Sequence, residues 1–239
     1  MDTQIVIEHI VEWVNDKVID AGCDGVVFGL SGGIDSAVVA AIAKQAFPEN
    51  SLGIIMPCHS IEEDEMHARL VADKINLNIE KVDLTSTYDE LVKNIRKKEN
   101  NQLALSNIKP RLRMTTLYYY AQINNYLVLG PTNKSEFVTG YFTKHGDSGV
   151  DLLPIADFVK EEVYDMARIL DIPKEIINKP PSAGLVKNQT DEDEMGIKYK
   201  DLDNFILNNE ADTNIIDKIN IMYSKTKHKR DYPPIFKEI

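Results

Sequence analysis

Four short apolar runs set the frame of this chain: GVVFGL (25–30), LGIIMP (52–57), IEKVDL (79–84) and YLVLG (126–130). Helical patterns separate them. Ile7, Ile10, Val11, Val14 and Val18 recur at helical spacing over 3–21, with Gly22 placed to end that helix. SAVVAAIAKQAF (36–47) is alanine-rich and stopped by Pro48, and 62–75 carries acids in its first turn, where the helix dipole favours them. Residues 85–95, 110–123 (opening on Pro110) and 159–170 read as further helices. Strands that alternate with helices imply an α/β fold, here a doubly wound, Rossmann-like parallel sheet flanked by helices in a single domain over 1–239. Right-handed crossovers lay strands 1, 2 and 3 side by side and return strand 4 to the other side of strand 1. The resulting crevice lies at the carboxyl ends of strands 1 and 4. Residues 96–107 and 179–196 read as loops, of which 96–107 and 183–196 are expected to order on substrate binding, 131–158 as irregular apart from a short helix near Ser135, and 199–208 and 212–223 as helices before a basic tail.

Composition narrows the classes. A net charge of −11 argues against a general nucleic-acid surface, while leaving room for one local basic site. No apolar run approaches the roughly 18 residues of a membrane span. The N-terminal MDTQIVIEHIVEW places acids where a secretory leader has basic residues, so the expectation is a cytoplasmic protein without membrane attachment. Cys23 and Cys58 stand alone and form no metal-binding pattern with histidine, so reduced thiols are expected.

The stretch GLSGGIDSA (29–37) follows the first strand and opens a helix. Gly32 and Gly33 permit a sharp turn and close approach to an anion, and the helix starting near Ser36 offers free N–H groups. Ser31 and Ser36 are expected to add hydroxyl donors. The usual phosphate loop ends in a lysine; this one has none. An aspartate inside such a turn repels phosphate unless a cation lies between, so Asp35 is expected to bind Mg2+, with Glu136 of the facing loop as a second carboxylate.

SGGIDS resembles the pyrophosphate loop of the N-type ATP pyrophosphatases, which cleave ATP between the α- and β-phosphates and transfer AMP to a substrate. NIKPRLRMTTLYYYA (107–121), NKSE (133–136), GYFTKHGDSGVDLLP (140–154) and INKPPSAGL (177–185), in that order, resemble the ammonia-dependent NAD+ synthetases. The resemblance runs from about residue 25 to the HKR near the C-terminus. It implies ATP-dependent amidation of deamido-NAD+ through an acyl adenylate, with ATP as co-substrate, Mg2+ as cofactor and free ammonia as the nitrogen source, since the chain has no room for a glutaminase domain. It implies ATP binding by Gly29, Leu30, Ser31, Gly32, Gly33, Ile34, Asp35 and Ser36, with Pro131, Lys160 and Ser182 at further ATP-contacting positions. It implies deamido-NAD+ binding by Arg113, Lys144, Asp151, His228 and Lys229, and a homodimer that shares the dinucleotide site. Catalysis would rest on Asp35, Lys160 and Asp151, with no covalent nucleophile from the protein.

Two positions depart from the family pattern: Pro131 stands where a threonine is usual after strand 4, with Thr132 next to it, and Ser148 stands in a GDSG that the family writes GDGG. Two other functions compete on the same residues. A tRNA-modifying adenylating enzyme would want a basic surface and paired cysteines. A non-catalytic ATP-binding module would not need two metal-suited carboxylates and the added cations.

Overall fold

The protein is described by a computed structural model over residues 2–95, 101–181 and 190–237. In chain order the first half runs α1 (Thr3–Asp20), β1 (Gly25–Gly29), α2 (Ile34–Ala46), β2 (Ser51–Ile55), α3 (Glu62–Ile75), β3 (Asn78–Lys81), α4 (Thr85–Asn94), α5 (Gln102–Ser106), α6 (Ile108–Asn124) and β4 (Tyr126–Leu129). Then follow α7 (Lys134–Thr139), α8 (Lys160–Ile169), α9 (Lys174–Ile177), α10 (Asp191–Met195), α11 (Tyr199–Asn208), α12 (Thr213–Lys225) and α13 (Lys227–Arg230). Among the described residues the strands form one parallel sheet in the order β3-β2-β1-β4, the expected order with its switch point between β1 and β4.

The strands read as nearly continuous apolar runs because both faces of the sheet are covered. Alternate residues point to opposite sides. Val26 and Phe28 of β1, Ile55 of β2 and Leu129 of β4 pack with α1, α2, α3 and α8 on one face. Val27, Ile54 and Val128 pack with Leu117 and Ala121 of α6 and Leu84 before α4 on the other. Helix α2 is buried almost all round, from Val38 to Ala43, because it lies between α1, α8 and the sheet; only small and branched apolar side chains fit there. A third apolar cluster, Met195, Ile197, Tyr199, Leu202 and Ile219, holds α10, α11 and α12 against α7.

Three local readings change. Helix α2 begins at Ile34, two residues before the expected start, because Gly33 itself takes the cap position. Both expected loops contain a short helix. Asn101 accepts a hydrogen bond from the Ala104 N–H at the start of α5, and Thr190 and Asp193 form a reciprocal capping box at the start of α10. Both helices are too short for periodicity to show, but T-x-x-D is a readable start signal. The remaining parts of those loops, 96–100 and 182–189, lie outside the described residues, and with them Ser182. The basic tail carries the short helix α13.

Candidate active site

The β1–α2 turn is braced by its own hydroxyls. Ser36 Oγ donates to the Gly33 carbonyl at 2.9 Å and lies 3.0 Å from Ser31 Oγ, which accepts from the Gly33 N–H at 3.3 Å. The two serines, expected as donors to phosphate, thus hold the turn in shape first. Gly33 gives α2 no side-chain cap, so the first N–H groups of the helix and its dipole face outward beside Asp35. Gly32 has φ +81° and packs toward α3, where a Cβ would meet the Asp64 carbonyl at 2.4 Å and His67 Cβ at 2.9 Å.

Asp35 meets the facing loop. Asn133 Nδ2 donates to Asp35 Oδ1 at 2.9 Å, while Asn133 Oδ1 accepts from the Glu136 N–H at 3.0 Å and Glu136 Oε2 accepts from the Asn133 N–H at 3.3 Å. This capping box starts α7 and aims Glu136 at the same point as Asp35. Between them lies the Lys160 ammonium, 2.6 Å from Asp35 Oδ2 and 3.7 Å from Glu136 Oε1, with only 2% of its side chain exposed. The Tyr199 ring lies beneath it at 5.1 Å. Burial alone would lower the Lys160 pKa, but the Asp35 and Glu136 carboxylates together outweigh it and hold the lysine charged. Burial, with the Asp35 charge adding to it, pushes the Glu136 carboxyl up to about 8 despite Lys160. Asp191 joins this group through the Tyr199 and Tyr141 hydroxyls, each donating at 3.2 Å, and Tyr141 also donates to Glu194 at 2.6 Å. Acidic groups therefore outnumber basic ones in a buried place, and burial keeps part of them protonated.

Asp203 fixes this geometry from behind. Its Oδ1 accepts from Ser135 Oγ at 2.6 Å and its Oδ2 from the Glu161 N–H at 2.9 Å, while Ser135 Oγ accepts from the Lys160 N–H at 3.1 Å. One buried carboxylate thus ties together the starts of α7 and α8, which carry Glu136 and Lys160. Asp203→Ala is expected to leave the Ser135 hydroxyl and the Glu161 N–H without that partner and to destabilise the fold by roughly 2–4 kcal/mol. A urea titration measures this; a change under about 1 kcal/mol would remove the tie.

Asp35, Glu136, Tyr141, Lys160, Asp191 and Glu194 line one cavity of about 760 Å³, together with Gly29, Leu30, Ser31, Gly33, Ile34 and Ser36 of the turn. Pro131 and Thr132 both line it, and Thr132 is buried. Arg113 and Lys229 line it too. Arg113 Nε donates to the Met56 carbonyl at 3.1 Å and Nη2 to Ser60 Oγ at 3.4 Å; burial lowers its pKa, but guanidinium remains charged. Lys229 Nζ donates to the carbonyls of Gly140 and Phe142 at 2.8 and 2.7 Å. Lys144 donates to the His228 carbonyl, so these two stand beside Lys229, yet neither lines the cavity. Ser148 Oγ donates to the Thr143 carbonyl at 3.1 Å and closes the turn between them.

Asp151 is not brought to the cavity. It is exposed beyond β4, its carboxylate accepting from the Tyr118 hydroxyl at 2.9 Å and from the Val128 N–H at 2.8 Å. Sequence reasoning missed Asn133, Lys179, Asp191 and Asp203. Only Asn133 carried a local signal, the N-x-x-E box. The rest come from segments whose position depends on packing.

The NAD synthase family model matches residues 6–233. The chain is 52% identical over 231 residues to an NH3-dependent NAD+ synthetase of Carboxydothermus hydrogenoformans, covering 95% of each chain. It is 49% identical over 229 residues to the Finegoldia magna protein of the same name, covering 96% of this chain and 94% of that one. Among solved structures it superposes with TM-score 0.95 and 33% identity on NMN synthetase from Francisella tularensis, covering 98% of both chains. It superposes with TM-score 0.83 and 31% identity on the NH3-dependent NAD synthetase of Campylobacter jejuni, covering 99% and 100%. A glycine turn without lysine, with the Asp35 and Glu136 carboxyls beside it and Arg113 and Lys229 on the same cavity, thus occurs in a chain that belongs to the NAD synthase family.

Proposed function

We propose that the protein amidates deamido-NAD+ with ammonia, using ATP and releasing AMP and pyrophosphate. The observation that carries this is one cavity lined both by the β1–α2 turn with Asp35, Glu136 and Lys160 and by Arg113 and Lys229. Its volume of about 760 Å³ lies in the range of small-molecule sites. The β1–α2 turn and α2 N-terminus hold the phosphates of ATP. Arg113 and Lys229 hold the acceptor, with Lys144 and His228 at the adjoining rim. The acceptor carboxylate attacks the α-phosphate, and ammonia then displaces AMP from the acyl carbon. No protein nucleophile is required, so the chain positions groups and offsets charge. Lys160 stays protonated and offsets negative charge growing at the phosphates. Free ammonia is proposed as the nitrogen source.

The donor set fits Mg2+. Asp35 and Glu136 present two carboxyl groups on either side of the Lys160 ammonium, and phosphate oxygens would complete an oxygen shell. When bound there, the ion would neutralise phosphate charge. Asp35→Ala is expected to abolish turnover; retained activity would remove its role. Asp151 lies beside α6, whose Tyr119 and Ile123 are 62% and 58% exposed. We propose that a homodimer covers this face and turns Asp151 toward a shared acceptor site. A cytoplasmic protein acting on small molecules, without nucleic acid or membrane, is the accompanying reading; among the described residues no helix is long and apolar enough to cross a membrane.

The Francisella tularensis structure, named NMN synthetase, favours a second reading in which the acceptor is the mononucleotide. The test compares both acceptors with ATP, Mg2+ and ammonium, measuring NAD+ or NMN, AMP and pyrophosphate. NAD+ as the faster product supports the first reading; faster NMN selects the second. AMP formed only with an unrelated acceptor would overturn both.

A further inference from the structure

We propose that Lys179 binds the β- and γ-phosphates of ATP and the pyrophosphate that leaves, supplying from a distant segment the cation that the SGGIDS turn lacks. The proposal deepens the NAD+-forming reading and rests on it. Lys179 follows α9, whose Ile176 is buried in the core, and its N–H donates to the Ile176 carbonyl at 3.3 Å, so its backbone is anchored. Its Nζ reaches α3, 2.7 Å from Asp64 Oδ1 and 3.4 Å from His67 Nδ1. Asp64 and His67 are the residues against which Gly32 of the turn packs. The ammonium therefore sits on the patch of α3 that supports the phosphate-binding turn, and Lys179 lines the same cavity as Ser31, Gly33 and Ser36.

The other cations of the cavity are committed elsewhere. Among the described residues, Lys160 is held between Asp35 and Glu136, Lys81 pairs with Glu65 at 2.7 Å, away from the turn's Gly32 contact, and Lys229 and Arg113 bind backbone carbonyls. Lys179 is held by one carboxylate on the cavity wall, with each side chain 21% exposed. A polyphosphate carries more charge than Asp64 and competes for the ammonium on favourable terms. In the adenylation step a bond forms between the acceptor carboxylate oxygen and the α-phosphorus. The bond from that phosphorus to the oxygen bridging to the β-phosphate breaks, and pyrophosphate leaves with the electron pair. No proton moves, so the charge gathering on the leaving group calls for a fixed cation on its side of the turn.

The competing role for Lys179 is structural, pinning 179–181 to α3 through Asp64. The two roles separate in variants assayed for product inhibition by inorganic pyrophosphate and by AMP, and for direct pyrophosphate binding with Mg2+ by calorimetry. Lys179→Ala is expected to weaken pyrophosphate binding and raise the ATP KM by about tenfold or more, with the AMP constant unchanged. Lys179→Arg should recover most of the loss. Asp64→Asn breaks the same ion pair but frees the ammonium, so it should leave pyrophosphate binding unchanged or tighter. Equal weakening in Lys179→Ala and Asp64→Asn would overturn the proposal, as would unchanged pyrophosphate binding in Lys179→Ala. If the wild-type protein forms neither NAD+ nor NMN, the functional reading fails, while the calorimetric titration still decides the role of Lys179.

Discussion

Replacing Lys160 with methionine is expected to lower turnover by roughly a hundredfold to a thousandfold and to destabilise the protein at the same time. Both effects have one origin. The ammonium is buried between Asp35 and Glu136, 2.6 and 3.7 Å from their oxygens. Removing it leaves two carboxylates facing each other in a place poor in water, and breaking such a buried pair costs about 3–5 kcal/mol. Protonation relieves part of that cost, since Glu136 is already pushed up to about 8 by burial and by Asp35. Mg2+ should restore part of the lost stability, because the vacated space lies between the two carboxylates proposed to bind it. It should not restore turnover, because no fixed cation of α8 would then face the phosphates. Chemical denaturation with and without Mg2+, beside a steady-state assay, measures both. Turnover within about tenfold of wild type would reduce Lys160 to a structural role.

Gly32→Ala is expected to cost roughly 2–5 kcal/mol and to remove ATP binding. The position has φ +81°, which strains any L-residue, and the added Cβ would lie 2.4 Å from a backbone oxygen of α3 rather than against a flexible side chain. Either α3 or the turn must move, and the turn carries Asp35 and the open end of α2. Gly33→Ala is the matched control. There φ is −91° and the nearest atom to a new Cβ is Ser31 Oγ at 3.4 Å, so stability should change by less than about 1 kcal/mol. Thermal melts and ATP titrations of the two variants test this division: Gly32 serves the packing of the turn on α3, while Gly33 serves its approach to phosphate. Equal stability losses would refute it.

Much of this was readable along the chain because it rests on local causes. Alternating apolar runs and helical periods placed the four strands, and handed crossovers gave their order β3-β2-β1-β4 with the crevice beside β1. Glycines and an aspartate between a strand and a helix marked the turn, and NKSE marked both the start of α7 and Glu136. The short helices α5 and α10 were missed because five residues hold too little periodicity to read. Asp151 is the opposite case: its motif implied a place at the acceptor, while in the single chain its carboxylate bonds Tyr118 and the β4 backbone and is exposed, so its place depends on the proposed homodimer.

The sequence by itself determined the layered α/β fold, the position of the crevice and the pair Asp35 and Glu136, since each follows from period, turn chemistry or capping within a few residues. Only the tertiary structure decided how charge is shared there. It placed Lys160 between the two carboxylates, Asp203 behind them and Lys179 beside Gly32. These partners lie 125, 68 and 115 residues apart along the chain in the contacts Lys160–Asp35, Ser135–Asp203 and Lys179–Asp64. Local propensity carries no information about such pairs. They form because burial of the sheet faces and the α10–α12 cluster brings distant segments together, and a buried charge must then find its partner.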